Sequence, residues 1–269
     1  MLPSGGRPVQ RHLRALSLLT AFTFACTFAS LSGAGVGAAG AQNTAKAPAS
    51  GVELLQRMHD RYSGSWYHSL SFTQSTEVHL PNDSVVRQTW WETASVPGYL
   101  RIRRLANDDR NVSIYRKDSL YTRRNGGPWQ GRKLRNDLMV LGFDIYRQPV
   151  DTSAAVLREQ GYDLSVISDG SWDGRPVWIV GAKTGDTTTP QFWIDKERLV
   201  YVHSIMRGIR DSTKTATVTF GDYAPLAGGW IPRAVSIEDG GKLLQREVYR
   251  DIKANIDAPL ARFDPAQIP

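Results

Sequence analysis

Residues 69–80 read SLSFTQSTEVHL, and this stretch decides the fold because apolar and polar side chains alternate along it. Leu70, Phe72, Val78 and Leu80 share one side of an extended chain, and the odd-numbered residues between them are all polar. A period of two is typical of a strand with one buried face. A turn at 81–84 follows, and further strands are predicted at 85–94, 99–105, 111–116 and 119–124. Their spacing predicts an antiparallel meander joined by hairpins.

Three helices are predicted beside these strands. Ser50 and Glu53 form an S-x-x-E capping box, so the first helix starts there and ends before Ser63. Apolar spacing predicts the other two at 136–146 and 151–160. Asp151 is the expected N-cap of the third helix, and Gly161 is its expected stop. Strand patterns resume at 162–168, 176–183, 190–195, 198–206, 214–223, 230–238 and 242–253, with a turn expected at 169–174.

About a dozen strands against three helices, without β-α-β alternation, predict an α+β protein that is mainly antiparallel β. A sheet of this size tends to curl, so we expect a curved half-open β-barrel with helices packed over its concave face. The expected inward residues are Leu70, Phe72, Leu100, Ile102, Val112, Ile114, Phe192, Ile194, Ala216, Val218 and Phe220. All of these except Val112 and Ala216, together with Trp90, are the ten candidate ligand contacts, because apolar and large aromatic side chains offer broad apolar surface. Such a lining forms either a filled core or a ligand cavity, and both interpretations stay open.

The N-terminus predicts export. Three arginines precede an uncharged apolar run at 16–31, and an A-x-A sequence ends at Ala41. Residues 1–41 are therefore interpreted as a signal peptide cleaved after Ala41, with an uncleaved membrane anchor as the alternative. Residues 42–50 are expected to be a flexible tether, and 51–269 a single domain. Cys26 is the only cysteine, so the mature chain has no disulfide, thiolate metal site or cysteine nucleophile.

Positive charge is concentrated between residues 101 and 135. Eleven basic residues against three acidic ones give this segment a formal charge of +8. Clustered charge of one sign steers anionic partners, which for an exported protein are anionic membrane headgroups or an acidic protein surface rather than nucleic acid. The alternative is that these side chains only cover solvated strand faces. The candidate headgroup or partner contacts are Arg101, Arg103, Arg104, Arg123 and Arg124.

No catalytic motif is present in the sequence. The histidines after residue 41 lack the spacing of an H-E-x-x-H zinc site, and no G-x-S-x-G elbow occurs. Asp169 and Asp173 are interpreted as hairpin residues rather than calcium ligands. The absence of P-loop and G-x-G-x-x-G motifs gives no support for a nucleotide cofactor. We therefore expect a monomeric protein without catalytic residues, metal or cofactor.

Several short strings, in order along the chain, resemble the LolA/LolB-type family of periplasmic lipoprotein carriers, including the looser group of outer-membrane lipoprotein-sorting proteins. They are Phe72-Thr73-Gln74, Pro97-Gly98-Tyr99-Leu100-Arg101-Ile102, Phe192-Trp193-Ile194-Asp195-Lys196, Gly228-Gly229-Trp230-Ile231-Pro232 and Phe263-Asp264-Pro265. The resemblance implies a half-barrel with a helical lid over an apolar cavity for lipoprotein acyl chains, in a periplasmic carrier without chemistry.

One departure from the family pattern concerns the lid. The carriers place an arginine directly before the strand proline, where it helps to latch the lid, whereas Val96 precedes Pro97 in this chain. The latch is therefore not transferred to any residue of this sequence. The alternative to a carrier is an envelope sensor or regulatory module of the same fold.

Overall fold

The computed structural model describes residues 46–268, and in it the alternating stretch forms a strand near the middle of a large sheet. The strands are β1 (Ser69–His79), β2 (Val85–Ser95), β3 (Tyr99–Arg104), β4 (Val112–Arg116), β5 (Ser119–Arg123), β6 (Gln130–Lys133), β7 (Ile167–Trp172), β8 (Arg175–Val180), β9 (Gln191–Asp195), β10 (Tyr201–Arg207), β11 (Thr215–Leu226), β12 (Gly229–Asp239) and β13 (Lys242–Ala254). The α-helices of this part of the chain are α1 (Gly51–Tyr62), α2 (Asp137–Gly142) and α3 (Val150–Glu159). Short 3-10 turns occur at Asp144–Tyr146, Leu260–Phe263 and Pro265–Gln267.

All thirteen strands of residues 46–268 pair into one sheet, in the order β6-β5-β4-β3-β2-β1-β13-β12-β11-β10-β9-β8-β7. Neighbours along the chain pair as antiparallel hairpins within β1–β6 and within β7–β13, and β1 pairs with β13 to join these two meanders. The sheet is curved and does not close, since β6 and β7 lie at its two ends. This confirms the predicted half-open antiparallel architecture with helices.

The strand register defines which side chains share the inner face. Phe72 on β1 pairs with Glu92 on β2, Glu92 with Ile102 on β3, and Ile102 with Ser113 on β4. Side chains of directly paired residues point to the same face of a sheet. The inner face packs against α2 and the residues that follow it, which form the lid of the half-barrel.

This register corrects the expectation that Val112 and Ile114 point inward. Because Ser113 shares the inner face, its neighbours on β4 point outward, where Ile114 packs in a second buried cluster with Phe263 and Ile268 near the C-terminus. Both faces of β4 are thus covered. Hydrophobicity alone could not assign a face to Ile114.

The first helix matches its sequence signals. The Ser50 Oγ accepts a hydrogen bond from the backbone N–H of Glu53 at 3.2 Å, and the Glu53 carboxylate accepts one from the Ala49 N–H at 2.8 Å. Arg57 also donates to the Lys46 carbonyl at 2.6 Å. The described part of the expected tether, residues 46–50, therefore contacts α1. The expected signal peptide and cleavage site lie outside the described residues.

Three local predictions differ from the structure. The third helix has Pro149 as its N-cap, so Asp151 lies inside the first turn instead of capping it. Residues 162–166 are not a strand, because they cross from α3 to β7 while the Leu164 carbonyl accepts from the Gly51 N–H at 2.8 Å. The turn expected at 169–174 is shorter in the structure, because β7 extends to Trp172. The turn itself consists of Asp173 and Gly174, which both have positive φ. The short edge strand β6 was not predicted, since all its residues are exposed and polar or glycine.

Gly142 ends α2 and allows the lid to approach the sheet closely. A Cβ atom at this position would lie 2.5 Å from Cε2 of Phe220 on β11. Overpacking of this kind costs about 1–3 kcal/mol. We therefore expect Gly142→Ala to lower the free energy of unfolding by about that amount, as measured by urea denaturation.

Gly64→Ala provides the matched control, because a Cβ at Gly64 would have no neighbouring atom within 4 Å. Its effect should stay within about 0.5 kcal/mol. If Gly142→Ala were no more destabilising than Gly64→Ala, the tight contact between the lid and Phe220 would be contradicted.

Candidate functional site

A cavity of about 270 Å³ lies between the inner face of the sheet and the lid. Six of the ten residues expected to contact a ligand line it: Leu70, Phe72, Trp90, Leu100, Ile102 and Phe220. The lid closes the opposite side with Leu138 and Met139 of α2 and with Phe143, whose ring centroid is 6.3 Å from that of Phe220. The sheet and the lid therefore enclose a mainly apolar space.

The other expected ligand contacts lie elsewhere. Phe192, Ile194 and Val218 are fully or almost fully buried on β9 and β11, in a part of the core that is filled by side chains. The ring of Tyr162, which follows α3, packs edge-on against Phe192 at 5.2 Å between centroids. Ile114 points to the outer face, as described above. The half-barrel is thus a cavity at one end and a packed core at the other.

Polar side chains that were not predicted also line the cavity. Glu247 on β13 is 6% exposed, and its carboxylate accepts hydrogen bonds from the Tyr249 hydroxyl at 2.8 Å and from the Gln245 amide. Burial raises the pKa of Glu247, and these hydrogen bonds oppose the rise. Gln74 on β1 lies beside it and donates to Thr76 at 2.8 Å.

Glu92 on β2 is the other cavity carboxyl, and it is also 6% exposed. Burial raises the pKa of Glu92 well above its usual range, the nearby Glu247 adds to the rise, and Arg104 opposes it. Within residues 46–268 the Glu92 side chain forms no hydrogen bond and no ion pair. The sequence did carry a signal for these residues: the alternation that places Phe72 and Trp90 inward also places Gln74 and Glu92 inward.

Arg104 at the end of β3 stands at one side of the cavity. Its Nη1 donates to the Ser113 hydroxyl at 2.6 Å, and its guanidinium lies 4.4 Å from the centroid of the Trp90 ring. Burial lowers the pKa of Arg104. Arg104 and Tyr115 also line a second pocket of about 420 Å³, to which Arg123, Arg124 and Arg132 contribute.

The structure separates the five arginines that were expected to act together. Arg104 and Arg124 line the second pocket, next to the cavity. Arg101 and Arg103 project from the outer face of β3, where Arg101 forms an ion pair with Asp109. Arg123 also lines the second pocket, but it donates to the Gly127 carbonyl at 3.0 Å and lies 5.9 Å from the Trp129 ring centroid.

The lid is joined to the sheet by an aspartate. Asp144, in the 3-10 turn after α2, accepts a hydrogen bond from the Gly98 N–H at 3.0 Å, in the turn between β2 and β3. Asp144 is 5% exposed, and burial raises its pKa to about 7. A further pocket of about 470 Å³ borders this contact. The turn between β2 and β3 is therefore held by a carboxyl group of the lid.

The described residues contain neither a metal-binding cluster nor a membrane-spanning helix. No group of three or more histidine, cysteine, aspartate or glutamate side chains in residues 46–268 is arranged to hold a metal ion. Over the same range, none of the helices has the length and apolar character needed to cross a membrane. The cavity under α2 is the candidate functional site.

The fold and the cavity together define a class of protein: an open antiparallel half-barrel whose helices enclose a mainly apolar space with a few buried polar groups. Solved structures share this fold. A DUF1329 family protein from Desulfovibrio piger ATCC 29098 matches with a TM-score of 0.57 and 13% identity, over 81% of this chain and 98% of that chain. A LolA superfamily protein from Nitrosomonas europaea matches with a TM-score of 0.53 and 12% identity, over 80% and 99%.

An outer membrane lipoprotein-sorting protein domain from Vibrio parahaemolyticus is also similar, with a TM-score of 0.50 and 11% identity over 80% of this chain and 96% of that chain. No protein-family profile matches the chain, and no curated protein matches it. At these identities the likeness shows a shared fold. It confirms the half-barrel that the resemblance to LolA/LolB-type proteins implies.

Proposed function

We propose that the protein is a periplasmic, non-catalytic carrier that binds the acyl chains of lipoproteins or other lipids in the cavity under α2. The observation that carries the proposal is the apolar wall formed by Leu70, Phe72, Leu100 and Ile102 opposite the lid. The likeness of the whole fold to a lipoprotein-sorting domain and to a LolA superfamily protein supports the same function. The apolar run and the A-x-A sequence before Gln42 support the periplasmic location.

Binding would be driven by burial of methylene groups. Each methylene transferred from water to an apolar environment contributes about 0.8 kcal/mol. A buried segment of eight methylenes would therefore contribute roughly 6 kcal/mol before the entropic costs of binding. Movement of the lid, which carries Leu138 and Met139, would control entry and release.

The proposal is tested on the protein purified from its native envelope fraction. We expect organic extraction followed by mass spectrometry to identify acylated molecules. A substantial fraction of the protein molecules should carry one. We also expect the delipidated protein to bind palmitate in calorimetry, with the negative heat-capacity change that apolar burial produces. A protein that yields no acylated molecule and binds no palmitate would contradict the proposal.

A further inference from the structure

We propose that the pocket beside the cavity binds the anionic head of the same amphiphile whose acyl chain lies in the cavity. This inference rests on the proposed function and adds the chemistry of the head: a phosphate or a carboxylate. The pocket is called the head pocket below, and its basic residues are Arg104, Arg123, Arg124 and Arg132. The assignment depends on three of them, Arg104, Arg124 and Arg132.

The first support is the composition of the head pocket. Hydrogen-bond donors surround it in addition to the guanidinium groups, namely the side chains of Gln88, Asn111, Ser113, Tyr115 and Thr122. Gln88 uses its carbonyl oxygen to accept from the Trp90 indole at 2.8 Å, which leaves its amide hydrogens for other acceptors. None of the described residues that line the pocket is an aspartate or glutamate. Guanidinium and neutral donors without carboxylates are what a phosphate or carboxylate requires.

The second support is the lack of internal charge pairing. Among the described residues, Arg104, Arg124 and Arg132 have no carboxylate within 4.0 Å, whereas Arg101 and Arg116 on the outer face pair with Asp109 and Asp264. Burial lowers the pKa of Arg104, Glu92 and Tyr115 oppose this, and the like charge of Arg124 lowers the pKa further, as expected of two neighbouring cations that repel each other. An anion between them would relieve this repulsion.

The third support is continuity between the head pocket and the cavity. Arg104 and Tyr115 line both the head pocket and the cavity. A ligand could therefore place its head in the head pocket and its chain in the cavity, with no layer of other residues between them. Arg104 is held in place by the Ser113 hydroxyl and the Trp90 ring. A positioned guanidinium loses little side-chain entropy when it binds an anion.

The different surroundings of the cavity and the head pocket give the ligand one orientation. Glu92 and Glu247 lie on the inner side of Arg104, within the apolar space. The same burial that raises the pKa of Glu92 and Glu247 would penalise an anionic head there, whereas Arg124 and Arg132 would attract it, so the chain occupies the apolar part. The structure is therefore polarised for a single-headed anionic amphiphile.

The experiment compares two double variants by calorimetry at low ionic strength. Arg124→Gln with Arg132→Gln removes two cations from the head pocket, and both residues are exposed, so the fold should tolerate the change. Arg246→Gln with Arg250→Gln removes the same charge from the outer face of β13, since the residues between and beside them, Glu247 and Tyr249, point inward. Circular dichroism checks that both variants are folded.

The probes share one chain and differ in the head: palmitoyl lysophosphatidate, palmitate and monopalmitoylglycerol, with inorganic phosphate as the head alone. We expect Arg124→Gln/Arg132→Gln to weaken lysophosphatidate binding by about 10- to 100-fold, the loss typical of one or two charge-assisted hydrogen bonds. Monopalmitoylglycerol should bind the two variants and the unmodified protein within about twofold, and the outer-face variant should bind all probes as the unmodified protein does. Salt should reduce the affinity for lysophosphatidate and leave that for monopalmitoylglycerol unchanged.

Three results would overturn the inference or its basis. If the head-pocket variant bound lysophosphatidate and monopalmitoylglycerol as tightly as the unmodified protein, the head assignment would fail and the acyl-chain proposal would stand. If inorganic phosphate bound as tightly as lysophosphatidate, the site would serve free phosphate rather than a lipid head. If no palmitoyl probe bound the unmodified protein, the proposed function itself would fail.

Discussion

Replacement of Ala94 by phenylalanine should reduce palmitate affinity by about 100-fold. Ala94 is 2% exposed on β2 and lines the cavity between Leu70 and Leu100, its partners on the neighbouring strands. A phenyl ring there would occupy space that about four methylenes of the ligand would otherwise fill. At about 0.8 kcal/mol for each methylene, the loss is about 3 kcal/mol. Calorimetric titration with palmitate measures it.

Thr93→Phe is the control for this substitution. Thr93 is the adjacent residue of the same strand, and it pairs with Ser71 and Arg101 on the outer face. The same ring at position 93 should leave palmitate affinity within about twofold, because it does not enter the cavity. Equal affinities of Ala94→Phe, Thr93→Phe and the unmodified protein would show that the ligand does not use this cavity.

The second large effect is expected at Asp144. Its pKa is about 7 in the folded protein, against 3.8 for an ordinary aspartate. A carboxyl whose pKa is raised by folding adds stability at low pH, and this stability is lost as the pH rises from about 4 through 7. At about 1.4 kcal/mol for each pH unit, the loss is roughly 4 kcal/mol by pH 8. Asp144→Asn should remove this loss, because an amide does not ionise and its oxygen can still accept from the Gly98 N–H.

Urea denaturation between pH 4 and pH 8 tests this expectation, and Asp186→Asn provides a control of opposite sign. Asp186 accepts hydrogen bonds from the backbone and hydroxyl groups of Thr188 and Thr189, which lower its pKa. The stability that Asp186 contributes is present above the ordinary aspartate pKa and is lost at lower pH. Asp186→Asn should therefore be less stable than the unmodified protein at pH 8. If Asp144→Asn followed the same pH dependence as the unmodified protein, the burial of an ionising Asp144 would be contradicted.

Much of the architecture could be predicted from local patterns. The alternation in 69–80 and the capping box at Ser50 each depend on neighbours in sequence, and both match the structure. The face of β4 could not be predicted, because Ile114 is buried on the outer side by Phe263, which lies almost 150 residues further along the chain. Periodicity shows that one side of a strand is apolar, but it does not show which layer covers that side.

The cavity was predicted less completely than the fold. Its apolar wall follows from the positions of Leu70, Phe72 and Ile102 in their strands, whereas its polar groups meet only through the pairing of β1 with β13. Nothing in the local sequence brings Glu247 next to Glu92. The grouping of the arginines could not be predicted for a similar reason. Basic residues that are close together in the sequence of a strand are divided between its two faces.

The pairing of β1 with β13 has a consequence for the newly made chain. Strands β2–β6 pair only with their neighbours along the chain, whereas β1 also pairs with β13, which comes last among the strands and brings Gln245, Glu247 and Tyr249 to the cavity. A nascent chain that lacks β13 exposes the apolar side of β1 and has no enclosed site. The cavity is therefore completed only when the last strand of the sheet has paired with β1.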